Sequence, residues 1–234
     1  ASGDRVYAAS QANAMIEPPP GYALQVYNKW PDDGAGLAPI STNAASQAVK
    51  GYLADLDVIG SRAYVAEGKG LQVFDLTNEA APTAAAYWDT PGKSASVASD
   101  GTTAFVASDT GFQAVDLSEP TSPRLTGTLP ETGLTSAAYR DGMVLATIVS
   151  GPLTGLLAVD VTDPSAPAVL GSLGGLPSPV AIALSGGYAF IADGSSAKGL
   201  IAADISDPAG MALVGSAPPI TGRLISIDVF GDYA

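Results

Sequence analysis

The chain has 234 residues, 47% of them apolar and only 14% charged, so it is long and apolar enough to bury a substantial core and is not a disordered segment. Ten Lys and Arg against 23 Asp and Glu give a formal charge of −13, which opposes binding to nucleic-acid phosphates and to anionic lipid. With no Cys and no His, thiol nucleophiles, Ser-His-Asp triads and Cys/His metal sites are excluded; a metal here would be a hard ion held by oxygens, calcium first.

In chain order the first unit, residues 3–42, holds three extended runs: GDRVYAAS, ALQVYNKW and LAPIST. Between the first two lies the longest loop, residues 10–23, with Met15, Ile16 and Tyr22 around the three prolines Pro18 to Pro20. A stiff polyproline turn presenting apolar side chains suits contact with a protein, and equally a lid on its own sheet. Four fuller units follow. Each starts with an alternating run (LADLDVI, SASVAS, SAAYR, PVAIAL) and continues from a glycine turn at Gly60, Gly101, Gly142 or Gly186 into GSRAYVAE, GTTAFVAS, GMVLATIV or GGYAFIAD. A third run then ends on an aspartate: Asp75, Asp116, Asp160 and Asp204, at spacings of 41, 44 and 44 residues. A fourth run, such as TAAAYWDT or PAVLGSL, completes the unit. The last stretch, LISIDVFGDYA, reads as a first run and the opening of a second.

Four short runs per unit of this period, joined by Gly, Asp and Pro turns, predict an all-β chain of four-stranded antiparallel β-propeller blades. About five blades are visible: a partial one over 1–50, four over 51–93, 94–134, 135–178 and 179–223, and a partial one over 224–234. Either LISIDV completes the N-terminal blade of a five-bladed ring, or the chain is a segment of a longer propeller of about six to eight blades. The second reading is favoured, because an open ring would leave edge strands exposed.

The motif Gly-Leu-x-x-x-Asp-[Leu/Val/Ile]-[Ser/Thr]-[Asn/Asp/Glu]-Pro, best seen in GLLAVDVTDPSAP and GLIAADISDPAG, resembles the LVIVD-repeat β-propeller family. The resemblance implies an exported or surface-associated protein that is secreted, on the cell surface or in the periplasm, and it carries no catalytic residues to transfer.

Each repeated aspartate ends a strand ahead of a turn, [Ser/Thr]-x-Pro after Asp116, Asp160 and Asp204 and Thr-Asn-Glu after Asp75, where a carboxylate accepts backbone N–H groups, so these four are structural turn residues. Binding belongs where the repeat varies, on the face carrying the second-to-third-strand loops. Met15, Ile16, Tyr22, Lys69, Asp109, Asp193 and Lys198 are the candidate binding residues there, with Asp109 and Asp193 also the carboxylates a calcium ion could use. No catalytic residue and no metal site is assigned. The expectation is a non-catalytic protein-interaction or adhesion module, or a subunit of a surface or periplasmic assembly, with protein partners, no nucleic acid and no membrane span. The alternative is a hydrolase or lyase using channel carboxylates with calcium, for which Asp55, Asp57 and Asp228 are the only acids in the first strands.

Overall fold

The structure is a computed structural model that describes residues 5–11, 22–28, 39–44, 53–68, 70–195, 199–217 and 224–229. Every regular element among them is a β-strand. β1 (Arg5–Gln11), β2 (Tyr22–Asn28) and β3 (Pro39–Ala44) form a three-stranded antiparallel sheet. Four four-stranded antiparallel sheets follow. The first holds β4 (Leu53–Ile59), β5 (Arg62–Glu67), β6 (Gly70–Asp75) and β7 (Thr83–Asp89). The second holds β8 (Ser94–Ser99), β9 (Thr103–Ser108), β10 (Gly111–Asp116) and β11 (Arg124–Leu129). The third holds β12 (Leu134–Arg140), β13 (Met143–Ile148), β14 (Gly155–Asp160) and β15 (Ala168–Leu173). The fourth holds β16 (Pro179–Ser185), β17 (Tyr188–Asp193), β18 (Leu200–Asp204) and β19 (Ala212–Ser216).

Each sheet is a meander whose spatial order is its chain order, the organisation of propeller blades. The alternating runs favour this pleat, and the hairpins follow their turn residues. Between Arg140 and Met143 the two-residue turn is Asp141-Gly142, with φ of 49° and 79°, the left-handed pair that matches the twist of the flanking strands. The same register shift recurs at the start of all four first strands, at Leu53/Asp55, Ser94/Ser96, Leu134/Ser136 and Pro179/Ala181. A second recurs between third and fourth strands, so each blade is bent and twisted in the same two places.

The core lies between sheets. Tyr64, Leu71 and Val73 of the first complete sheet meet Val97, Val106 and Val115 of the second. Phe105 and Phe112 of the second meet Leu157 and Val159 of the third, and Leu145 and Leu156 of the third meet Ile182, Ile191 and Ile201 of the fourth. Successive blades therefore pack face to face. Their first strands, with residues 225–228, line one cavity of about 980 Å³.

Where about five blades were expected, four are complete. The N-terminal sheet has three strands, and residues 224–229, expected as a first strand, form none; the Val229 N–H goes to the Asp228 carboxylate at 2.8 Å.

Candidate functional site

Carboxylates from more than one part of the chain line this cavity. Asp55 and Asp57 are two apart on β4, so the pleat puts both on one face of the strand, and both line the cavity. A first strand is a sheet edge, and its outward N–H groups need acceptors other than a neighbouring strand. Asp55 supplies them. Its Oδ1 accepts Leu56 N–H at 2.8 Å, and its Oδ2 accepts Val97 N–H of β8 at 3.1 Å together with the Ser96 hydroxyl. Ser96 Oγ in turn accepts Ala137 N–H of β12 at 2.9 Å. Thr135 Oγ1 then donates to the Pro179 carbonyl of the fourth sheet at 2.9 Å. Side chains of one blade thus satisfy the edge of the next, from β4 through β8 and β12 to β16.

Burial pushes the Asp55 carboxyl up, opposed by the hydrogen bonds from Ser96, Val97 and Leu56. Asp57 is pushed up to about 6, chiefly by burial and further by the charge of Asp55, against hydrogen bonds from the Val58 and Ser99 backbone. Asp228 lines the same cavity and is exposed. The pair is therefore an inter-blade clamp before it is anything else: both Asp55 oxygens are already engaged. Among the described residues no three Asp or Glu stand close enough together to hold a metal ion.

The repeated aspartates lie at the opposite, outer side of each sheet. Asp75, Asp116, Asp160 and Asp204 accept the N–H two residues on, from Thr77, Ser118, Thr162 and Ser206, at 2.7, 2.8, 2.9 and 2.9 Å. Thr77, Thr162 and Ser206 add their hydroxyls at 2.5, 2.7 and 2.6 Å. The hydroxyl and N–H bonds hold these exposed carboxyls below the usual range. Asp163 and Asp207 repeat the arrangement inside the same turns, with Ser165 and Ala209 N–H at 2.9 and 3.0 Å.

The sequence model of the LVIVD repeat matches residues 50–90, 91–129, 153–173 and 180–217, so that each of the four complete blades carries one copy of this hinge. The chain belongs to the LVIVD repeat family. Among curated proteins nothing matches it. Among solved structures it is similar to a chain of the crystal structure of a nidogen/laminin complex, at 10% identity and a TM-score of 0.65, over 97% of this chain and 82% of that one. It is also similar to a functionally unknown protein from Desulfotomaculum acetoxidans DSM 771, at 13% identity and a TM-score of 0.66, over 85% of this chain and 63% of that one. At such identities the likeness is one of fold.

Within this LVIVD-repeat scaffold the loop-face candidates are not brought together as one site. Asp109 is exposed and accepts Lys93 N–H at 2.8 Å, tying the loop before β8 to the turn after β9. Asp193 is 1% exposed; its Oδ1 accepts Ser195 N–H at 2.7 Å and its Oδ2 has no hydrogen-bond partner among the described residues. Tyr22 opens β2. Met15, Ile16, Lys69 and Lys198 lie outside the described residues.

Two features escaped the sequence reading. Gly127 and Gly171 sit in fourth strands where an added Cβ would collide with the Pro164 and Pro208 carbonyl oxygens, so each seats the hinge of the following blade. Their 44-residue spacing was the available signal. The other is a set of exposed apolar side chains on the outer strands, which alternation alone assigns to neither face.

Proposed function

We propose that this LVIVD-repeat chain is a non-catalytic propeller module that binds other proteins, as an exported component of a cell-surface or periplasmic assembly. One observation supports the non-catalytic part: Asp55 and Ser96, a carboxylate and a hydroxyl among those lining the cavity, spend their hydrogen bonds on joining β4, β8 and β12. A nucleophile or general base needs those atoms free toward a substrate. The likeness in fold to a chain crystallised within a nidogen/laminin complex supports protein binding as the use of such a scaffold. The resemblance to exported LVIVD-repeat proteins supports the location.

The test is in-cell cross-linking of the native chain, mass spectrometry of what is attached, and fractionation of the cells. A reproducible protein neighbour in an exported fraction is the expected result. A chain recovered alone, or in the cytoplasmic fraction, would overturn the proposal.

The alternative of carboxylate chemistry with calcium is favoured only by the raised pKa of Asp57 beside a cavity. It predicts a rise in melting temperature on calcium titration. The interaction reading expects a flat response.

A further inference from the structure

We propose that the outer edge of β15, repeated on β19, docks an extended segment of a partner protein that alternates apolar and cationic side chains. This rests on the protein-binding reading above and specifies where and what it binds.

β15 and β19 are the outermost strands of their sheets, so among the described residues each has one row of backbone groups without a neighbouring strand. Free edges in natural proteins are usually blunted by Lys, Pro or another charge. β11 carries Arg124 and β7 carries Asp89, but β15 reads AVLGSL and β19 ALVGS, with no charge and no proline. Large apolar side chains stand out there instead. Of the eight exposed large hydrophobics among the described residues, five lie on outer strands: Leu125, Val169, Leu170, Leu213 and Val214. An apolar, uncharged, unpaired strand is the surface to which another strand adds, its backbone supplying affinity and its alternate side chains specificity. β15 is also held in shape, because Gly171 is pinned under the Pro208–Ala209 turn of the next blade.

Charge decides the occupant. Asp160 is opposite Ala168 at the start of β15, and Asp204 opposite Ala212 at the start of β19. Asp163 and Asp207 follow in the same exposed turns, and among the described residues none of the four is in an ion pair. From Asp141 to Ala217 the sequence holds six aspartates and one cation, Lys198. A segment laid along either edge meets carboxylates where the strand begins. A second copy of this chain would bring the same acids against them, and like charges face to face oppose that pairing.

The experiment uses the full chain and a labelled peptide of about ten residues alternating Lys and Val, long enough to span one strand, with a Glu–Val peptide as counterpart. The Lys–Val peptide is expected to bind, more weakly as salt rises, and the Glu–Val peptide to fail. Leu170→Lys combined with Val214→Lys is expected to weaken binding by about tenfold or more with the melting temperature unchanged, because both side chains are exposed. Equal binding of the two peptides, or binding untouched by the double variant, overturns the proposal. So does self-association of the native chain that the double variant abolishes, which would make a second copy the occupant. If cross-linking recovers a native partner that the double variant retains in full, the edge is wrong and the interaction reading stands. If no partner is recovered with the unaltered chain, that reading itself has failed.

Discussion

Asp55 accepts the hydroxyl of Ser96, which lies 41 residues later and one blade on. The contact joins two inner strands that share no ladder, and it also positions Ser96 Oγ to receive Ala137 N–H from a third. What the inner strands lack in direct pairing is supplied by side chains reaching across the seams.

Removing both acceptor oxygens should therefore cost more stability than removing one of them. Asp55→Ala leaves Val97 N–H and the Ser96 hydroxyl without their partner and is expected to lower the unfolding free energy by about 1–3 kcal/mol. Asp55→Asn keeps one acceptor oxygen, for either Leu56 N–H or Val97 N–H, and turns an amide NH2 toward the other donor, so its loss is expected to be smaller than that of Asp55→Ala but not zero. Urea denaturation of the two variants decides it. Equal losses would mean that the seam needs both acceptor oxygens at once.

The two groups of aspartates predict opposite responses to pH. Asp57 has a pKa near 6 in the folded chain against a usual 3.8, so the fold binds its proton more tightly than the unfolded chain does. Its contribution to stability is fully present below about pH 4 and is lost as the pH rises through about 6. A shift of this size corresponds to roughly 3 kcal/mol, and Asp57→Asn should remove that dependence. The hinge carboxyls Asp75, Asp116, Asp160 and Asp204 are held low, so they stabilise above the usual carboxyl range and lose that contribution as the pH falls through their folded values. Melting curves from acid to neutral pH should show Asp57→Asn flattening the fall between about pH 4 and 6, with the acid-side loss still present. A wild-type curve that rises across that interval and is unaltered by Asp57→Asn would contradict the assignment.

The glycines of the outer strands give a paired test of blade-to-blade packing. At Gly171 an added Cβ meets backbone, the Pro208 carbonyl oxygen, and backbone cannot swing aside as a side chain end can. Gly171→Val is expected to cost about 1–3 kcal/mol. At Gly215, the corresponding position of the fourth complete sheet, an added Cβ meets nothing within 4 Å among the described residues. Gly215→Val should be neutral or slightly stabilising, because a β-branched residue suits a strand better than glycine does. Comparable losses at the two positions would show that strand propensity, not the seated hinge, is being measured.

These cases also mark what a linear reading can reach. The hinge at Asp160 is legible because its partner, Thr162, is two residues away and the turn residues repeat with it. The strands are legible because alternation and glycine turns are local. The clamp at Asp55 is not: its partners are Ser96 and Val97, and only the radial stacking of sheets brings them to it. The seat at Gly171 is hidden for the same reason, since its partner is a turn of the next blade. Asp193 looked like a surface loop carboxylate and is almost wholly buried, because its position at the end of β17 opposite Pro179 lies inside the sheet rather than in the loop.

The seam between the second and third complete sheets offers the largest single test of the radial arrangement. Phe105 is fully buried and stacks on Phe112 of its own sheet, at 5.9 Å and 12°, and on Tyr139 of the next, at 5.4 Å and 14°. Phe105→Ala opens a cavity walled by both sheets and is expected to cost about 3–5 kcal/mol. Phe105→Leu refills most of that volume and should cost less than about 1.5 kcal/mol. Tyr139 adds a readout that a single-sheet defect would not move. Its hydroxyl oxygen accepts Gly142 N–H at 3.1 Å, bracing the β12–β13 hairpin, so losing the ring beneath it should speed amide exchange at Gly142. Exchange at Gly142 unchanged in Phe105→Ala, with stability lost all the same, would place the support of Phe105 within its own sheet and leave the seam unproven.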